Sequence, residues 1–228
     1  MTFARYAIFA TMPEGQALEF CTSLLGWDSR SVRAVPHPRI DGLPMPIEQL
    51  THTPRKYGLH ATIKPPFRLA VGTSLEDLAK SIRQLCEDRT RVQFDGLSVT
   101  KLGGFLALTP QGDTAGVNAL AADTVATLDA FRAPMSQAEL DKRKRPNMPP
   151  QLLNNLEHWG YPHVMEAFKF HMTLTGKMPR KQAEQALSVL RPIIDPMLPK
   201  PFSITSMSLM GENQTGMFHE IQRFPFTQ

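Results

Sequence analysis

Two stretches decide how this chain is built: Gly58-Leu59-His60-Ala61-Thr62-Ile63-Lys64 and Lys169-Phe170-His171-Met172-Thr173-Leu174-Thr175. Both read apolar-His-apolar-Thr-apolar. In an extended strand, residues two apart point to the same face. His60, Thr62 and Lys64 are therefore expected on one side of a strand, with Leu59, Ala61 and Ile63 on the other. In the second copy His171, Thr173 and Thr175 share a face, and Phe170, Met172 and Leu174 oppose them. A repeated polar row on an otherwise apolar strand is hard to bury without partners. If the two rows face each other, two His and two Thr converge on one groove.

The surroundings of the two stretches also match. Phe9-Ala10-Thr11-Met12-Pro13-Glu14-Gly15 recurs loosely as Ala107-Leu108-Thr109-Pro110-Gln111-Gly112, an apolar run followed by a Pro turn and a helical pattern each time. The first such helix is expected over 15–25 and its counterpart over 115–131. After each His stretch comes another helical pattern, one opening Ser74-Leu75-Glu76-Asp77 and one opening at Pro179. Two strand-like runs follow each helix, turning at Gly103-Gly104 in the first half and around 213–216 in the second. The spacing keeps step: 34 positions separate His60 from Phe94, and 33 separate His171 from Ile204. These features predict an α/β (α+β) chain of two βαβαββ-like units facing across a central cleft. The first lobe is expected at about 1–105 and the second at about 104–228, within a single bilobal domain.

The segments preceding the two His stretches differ. In the second half a helical insertion is expected at 133–163, with a capping box at Ser136-Gln137-Ala138-Glu139 and a second helix from Pro149 to Trp159 stopped by Gly160. In the first half, 28–57 is rich in proline and reads as a loop able to fold over the cleft mouth.

Composition narrows the function classes. The chain has 228 residues, 42% hydrophobic and 20% charged, which suits a folded core and excludes disorder. No run approaches a membrane span, and the N-terminal residues do not resemble a signal peptide, so a cytoplasmic protein without a membrane partner is expected. The two cysteines, Cys21 and Cys86, are isolated and read as small buried hydrophobes. The remaining histidines have no metal-ligand spacing, and there is no glycine-rich phosphate loop, so neither a metal nor a cofactor is expected. Net charge is +4, which suits a small anionic ligand better than a long nucleic acid.

The chemistry of two histidines and two threonines is that of phosphodiester cleavage. A His titrates near neutrality, so one imidazole can accept a proton from attacking water while the other protonates the departing ester oxygen. Thr62 and Thr173 hydroxyls would bind the non-bridging oxygens, and Lys64 would add positive charge where negative charge builds. The residues leave both acid and base assignments open. Arg143 and Arg145, in the basic run Lys142-Arg143-Lys144-Arg145, read either as a solvated helix face, as such runs most often are, or as donors to a second substrate phosphate.

These blocks resemble the paired H-x-T/S motifs of the 2H phosphoesterase superfamily. Arg5-Tyr6-Ala7-Ile8, the run 57–67, Leu140 to Arg145, Trp159-Gly160-Tyr161-Pro162 and the run 168–176 are similar, more narrowly, to the branch encoded in phosphonate-utilisation operons. The resemblance implies His60 and His171 as the acid/base pair and Thr62 and Thr173 as phosphate ligands. It adds Tyr57 and Arg5 or Tyr6 as supporting residues, and Thr175 where symmetry would place a second Lys. It further implies metal-independent cleavage of a small cyclic phosphodiester, with a ribosyl cyclic phosphate from carbon–phosphorus lyase chemistry as the substrate to expect. Two other readings compete: an RNA-end 2′,3′-cyclic phosphodiesterase or ligase-like enzyme, and a non-catalytic RNA or nucleotide binder. Few Trp and Tyr residues weigh against a long base-stacking platform.

Overall fold

The computed structural model describes residues 2–227. In chain order the elements are β1 (Arg5–Ala10), α1 (Gln16–Leu25), β2 (Trp27–Asp28), β3 (Arg33–Ala34), α2 (Ile47–Arg55), β4 (Ala61–Phe67), α3 (Leu75–Glu87), β5 (Val92–Phe94), β6 (Gly96–Leu102) and β7 (Phe105–Gln111). They continue as α4 (Ala115–Thr127), α5 (Gln137–Arg143), α6 (Pro150–Trp159), β8 (Met172–Thr173), α7 (Arg180–Ile194), β9 (Phe202–Ile204), β10 (Ser206–Glu212) and β11 (Phe218–Pro225). The mixed α/β class read from the sequence holds, and its centre is one seven-stranded antiparallel sheet in the order β11-β10-β1-β4-β8-β7-β6. Among the described residues no helix is long and apolar enough to cross a membrane.

Local signals place most elements where the sequence puts them. Ser74 accepts a hydrogen bond from the Asp77 backbone N–H and starts α3, and Ser136 and Glu139 form the expected reciprocal capping box of α5. Gly160, left-handed at φ 75°, ends α6. The insertion at 133–163 is helical as expected.

In the sheet the strands of the two halves interleave. β10, from the second half of the chain, pairs with β1 of the first half. β6, from the first half, pairs with β7, which in turn pairs with β8. Each half thus lends its hairpin to the other, so the structural halves are β11-β10-β1-β4 and β8-β7-β6, and the expected boundary at 104–105 falls in the β6–β7 turn. Main-chain pairing of distant strands decides this, and such pairing leaves no local trace in the sequence.

The two halves meet where the His stretches lie. β4 and β8 are joined through one residue pair, Ala61 opposite Met172, and beyond it they part. The freed edge of β4 tolerates Pro65 and Pro66, which cannot donate to a ladder. The helix-facing side of the sheet carries the main core, including Ile8, Ala10, Ala61, Ile63, Leu108 and Leu209. On the other face Ala7, Phe9, Met210 and Phe218 form a smaller cluster with Tyr57 against it. Cys21 and Cys86 are buried thiols, and burial pushes them up to about 12 and about 11.

The proline-rich segment 28–57 is not all loop. It contains the β2–β3 ribbon and α2. Pro46 sits at the N-cap of α2, and Pro54 lies in its last turn. Lacking an N–H, Pro54 leaves the Leu50 carbonyl without its helical partner. That carbonyl accepts instead from the Gly176 N–H at 2.7 Å, which docks α2 against the chain leaving β8.

Candidate active site

Where β4 and β8 diverge there is a cleft of about 360 Å³, and His60, Thr62, His171 and Thr173 all line it. The pairing predicted from two short motifs is thus realised in space. Each histidine immediately precedes its strand, and each is held the same way. His60 Nδ1 lies 2.9 Å from the Gly58 carbonyl, and His171 Nδ1 lies 2.8 Å from the Lys169 carbonyl. A carbonyl only accepts, so both Nδ1 atoms carry the proton and each neutral ring keeps its lone pair on Nε2. Gly58 makes this possible at His60: its φ is +70°, and a Cβ there would lie 2.8 Å from Ser29 Oγ.

The two imidazoles differ in surroundings. His60 is 8% exposed, stacks on Phe9 at a centroid distance of 4.0 Å and lies 5.3 Å from the Tyr57 ring. Loss of water around the ring pushes its pKa down from 6.5 to about 4, and the nearby His171 lowers it further against the opposing pull of the Gly58 carbonyl. His171 is only partly buried, with the Phe105 ring 5.9 Å away.

Lys64 is not in the cleft, contrary to its place in the alternating row. Thr62 pairs with Phe9, and Lys64 pairs with Ile8, with a bulge between them. The extra residue reverses the alternation, so Lys64 points with Ile63 to the helix side. There its ammonium, 2% exposed, donates to the Val125 carbonyl at 3.0 Å and to Asp129 Oδ1 at 3.4 Å. Burial lowers its pKa to about 8 although Asp129 opposes the shift. Lys64 anchors α4 to β4 and cannot serve as a phosphate ligand.

Other expectations sort themselves similarly. Arg5 lines the cleft with its guanidinium clamped by Glu212 through two hydrogen bonds, the second at 2.7 Å. Tyr6 does not line it and packs against the core. Tyr57 and Arg143 line the cleft, whereas Arg145 is exposed outside it. Thr175 lies in the wall, but its hydroxyl is committed: it accepts from the Leu106 N–H at 2.9 Å and donates to the Gly176 carbonyl at 3.0 Å. Its role is to join β8 to β7.

Sequence reasoning missed Thr53 and Pro54 of α2, Phe105, Tyr161 and Lys177, which complete the wall. Only the Gly160-Tyr161 stop of α6 carried a signal that could have found one of them. No Asp or Glu lines the cleft, while Arg5, Arg143 and Lys177 do. Burial raises the Tyr161 pKa, helped by Tyr57 and opposed by Arg143 and Arg145. Among the described residues no group of three or more His, Cys, Asp or Glu side chains is arranged to hold a metal.

The site is thus a cleft in a split antiparallel sheet, with two His-x-Thr stretches facing it and Arg5, Arg143 and Lys177 but no carboxylate in its lining. The chain belongs to the family described as "Protein of unknown function (DUF1045)", whose model matches residues 62–219. It is 32% identical over 239 residues to a ribose 1,5-bisphosphate phosphokinase PhnN of Janthinobacterium sp. (strain Marseille), covering 99% of this chain and 51% of that protein. The chain spans about half the length of the curated relatives it matches. Among solved structures it is similar to TT0787 of Thermus thermophilus, with a TM-score of 0.48, 14% identity and 97% of each chain covered. A crystal structure of a phosphoesterase gives a TM-score of 0.44 at 15% identity, with both chains fully covered at 100%.

Proposed function

We propose that this chain is a phosphodiesterase of the 2H type that hydrolyses a small cyclic phosphodiester by two-histidine general acid–base catalysis without a metal. The observation that carries the reading is the matched pair of imidazoles in one cleft, each fixed through Nδ1 by the carbonyl two residues before it, with a threonine two residues after it. His60, neutral at physiological pH, takes the base role through Nε2 and removes a proton from water as the water oxygen bonds to phosphorus. His171 takes the acid role and donates a proton from Nε2 to the ester oxygen as its bond to phosphorus breaks, leaving a phosphomonoester and a free hydroxyl. Thr62 and Thr173 hydroxyls donate to the non-bridging oxygens, and Arg143 and Lys177, which line the cleft without an ion-pair partner among the described residues, place positive charge there.

A ribosyl cyclic phosphate arising in phosphonate breakdown is the substrate proposed, from the motif blocks and the ribose bisphosphate named for the longer relatives. Hydrolysis of a ribosyl or nucleoside cyclic phosphate is measured with EDTA present, for wild type, His60→Ala and His171→Ala. The expected result is turnover in wild type and a loss of at least 100-fold in each variant. Full activity in either variant defeats the two-histidine mechanism, and binding without turnover in wild type selects the non-catalytic binder.

A further inference from the structure

Accepting the phosphodiesterase reading, Arg143 and Lys177 bring two positive charges to the cleft besides Arg5, more than one cyclic phosphodiester can neutralise. Such a group carries a single negative charge. Arg5 is already compensated by Glu212. Arg143 is not: among the described residues it takes part in no ion pair, and its one hydrogen bond runs from NH1 to the Gly160 carbonyl at 2.7 Å. Four of its five N–H donors are left, in a wall that contains no carboxylate.

Its place in the fold is asymmetric. Arg143 ends α5 and is half-buried, in the insertion of two helices before β8, where the segment before β4 holds the single helix α2. It shares with Arg5, Pro66, Gly160 and Glu139 a second small hollow, in which the Glu139 carboxylate is taken by Arg68, and this locates Arg143 beside the part of β4 that has parted from β8. Tyr57 and Tyr161 line the cleft too, and the influence of Tyr57, Arg143 and Arg145 on the Tyr161 hydroxyl puts these groups together. The insertion is braced there: Arg68 holds Glu139 of α5 through a pair of hydrogen bonds, one at 2.8 Å. Arg132 donates to the His158 carbonyl at 2.8 Å. A guanidinium held in place and left without a counter-ion fits an anion of fixed position.

We propose that Arg143, with the Tyr57 and Tyr161 hydroxyls, forms a subsite for a terminal phosphomonoester, so that the substrate is a cyclic phosphodiester bearing a second phosphate. A phosphomonoester carries about −1.5 to −2 charge at pH 7 and three acceptor oxygens, which matches one unpaired guanidinium flanked by hydroxyl donors. Arg145 is exposed and does not line the cleft; it acts on the Tyr161 hydroxyl only through its charge.

The test compares adenosine 2′,3′-cyclic phosphate with the same compound carrying a 5′-phosphate. Calorimetric titration into the His171→Ala protein, where turnover is blocked, is expected to show at least 10-fold tighter binding of the 5′-phosphorylated compound. Arg143→Gln in that background is expected to cut the preference below 3-fold, and Arg143→Lys to restore part of it. Thermal melting of each variant verifies folding, and the Lys variant decides the matter if Gln does not fold. Equal affinity for the two compounds, or a preference that survives Arg143→Gln, overturns the subsite. Wild-type hydrolysis of the two compounds is a separate arm: turnover of neither refutes the catalytic reading, while the titration still decides the subsite.

Discussion

Burial of His60 has a thermodynamic consequence that acid titration reads directly. The folded protein holds its pKa at about 4, against 6.5 for a free imidazole. Above pH 6.5 the ring is neutral whether the chain is folded or not, and His60 leaves stability unaffected. Between 6.5 and 4 the unfolded chain takes up the proton and the folded chain does not, so the unfolded state binds more protons and stability falls as pH falls. At about 1.4 kcal/mol per pH unit the loss reaches about 3 kcal/mol once the pH is below 4, a large part of a typical domain's 5–15 kcal/mol. His60→Gln removes the titration while keeping a polar planar side chain. Urea denaturation of both proteins at pH 7, 5.5 and 4.5 is expected to give curves that converge with acid, wild type losing about 2–3 kcal/mol more than the variant. The same ring followed by proton NMR should titrate far below 6.5. A His60 resonance titrating near 6.5, or parallel stability curves, would refute the desolvation argument and the assignment of His60 as the base.

Lys64 makes the opposite prediction in alkali. With its folded pKa near 8 and a free value of 10.5, the cost of burying the ammonium is fully present below pH 8 and gone above 10.5, so wild-type stability should rise across that interval. Relative to Lys64→Met the gain between pH 7.5 and 10, measured by urea denaturation, is expected to be about 2 kcal/mol; no difference between the two proteins would contradict the buried position. Gly58→Ala should destabilise by about 1–2 kcal/mol through its left-handed backbone. It should also loosen the carbonyl that fixes His60, seen as a lower melting temperature together with a displaced His60 NMR signal; an unshifted signal would detach Gly58 from the site.

Much of the candidate site was legible because each half carries its His and Thr within one short motif. Alternation of period two is enough to say that His60 and Thr62, or His171 and Thr173, share a face. The capping box at Ser136 and the glycine stop at Gly160 placed the insertion for the same local reason. Lys64 was misplaced because the bulge that turns it away depends on how β1 pairs with β4, and a one-residue slip in that partner reverses the whole row. Thr175 looked like a ligand because nothing in its neighbourhood in sequence reveals the Leu106 N–H that claims its hydroxyl. Helix α2 was hidden by prolines that read as loop, although one of them frees the carbonyl that receives Gly176.

The sequence by itself determined the duplicated motif, the α/β class, the helices with their caps and the four residues that carry the proposed chemistry, since each follows from covalent geometry and nearest neighbours along the chain. Only the tertiary structure decided that the two halves exchange hairpins and that β4 and β8 part to open a cleft. It also decided which basic side chain reaches that cleft: Arg143 does and Arg145 does not. These outcomes rest on strand registers and packing between residues that are not neighbours along the chain, where the energy of one arrangement over another is settled by partners no local pattern names.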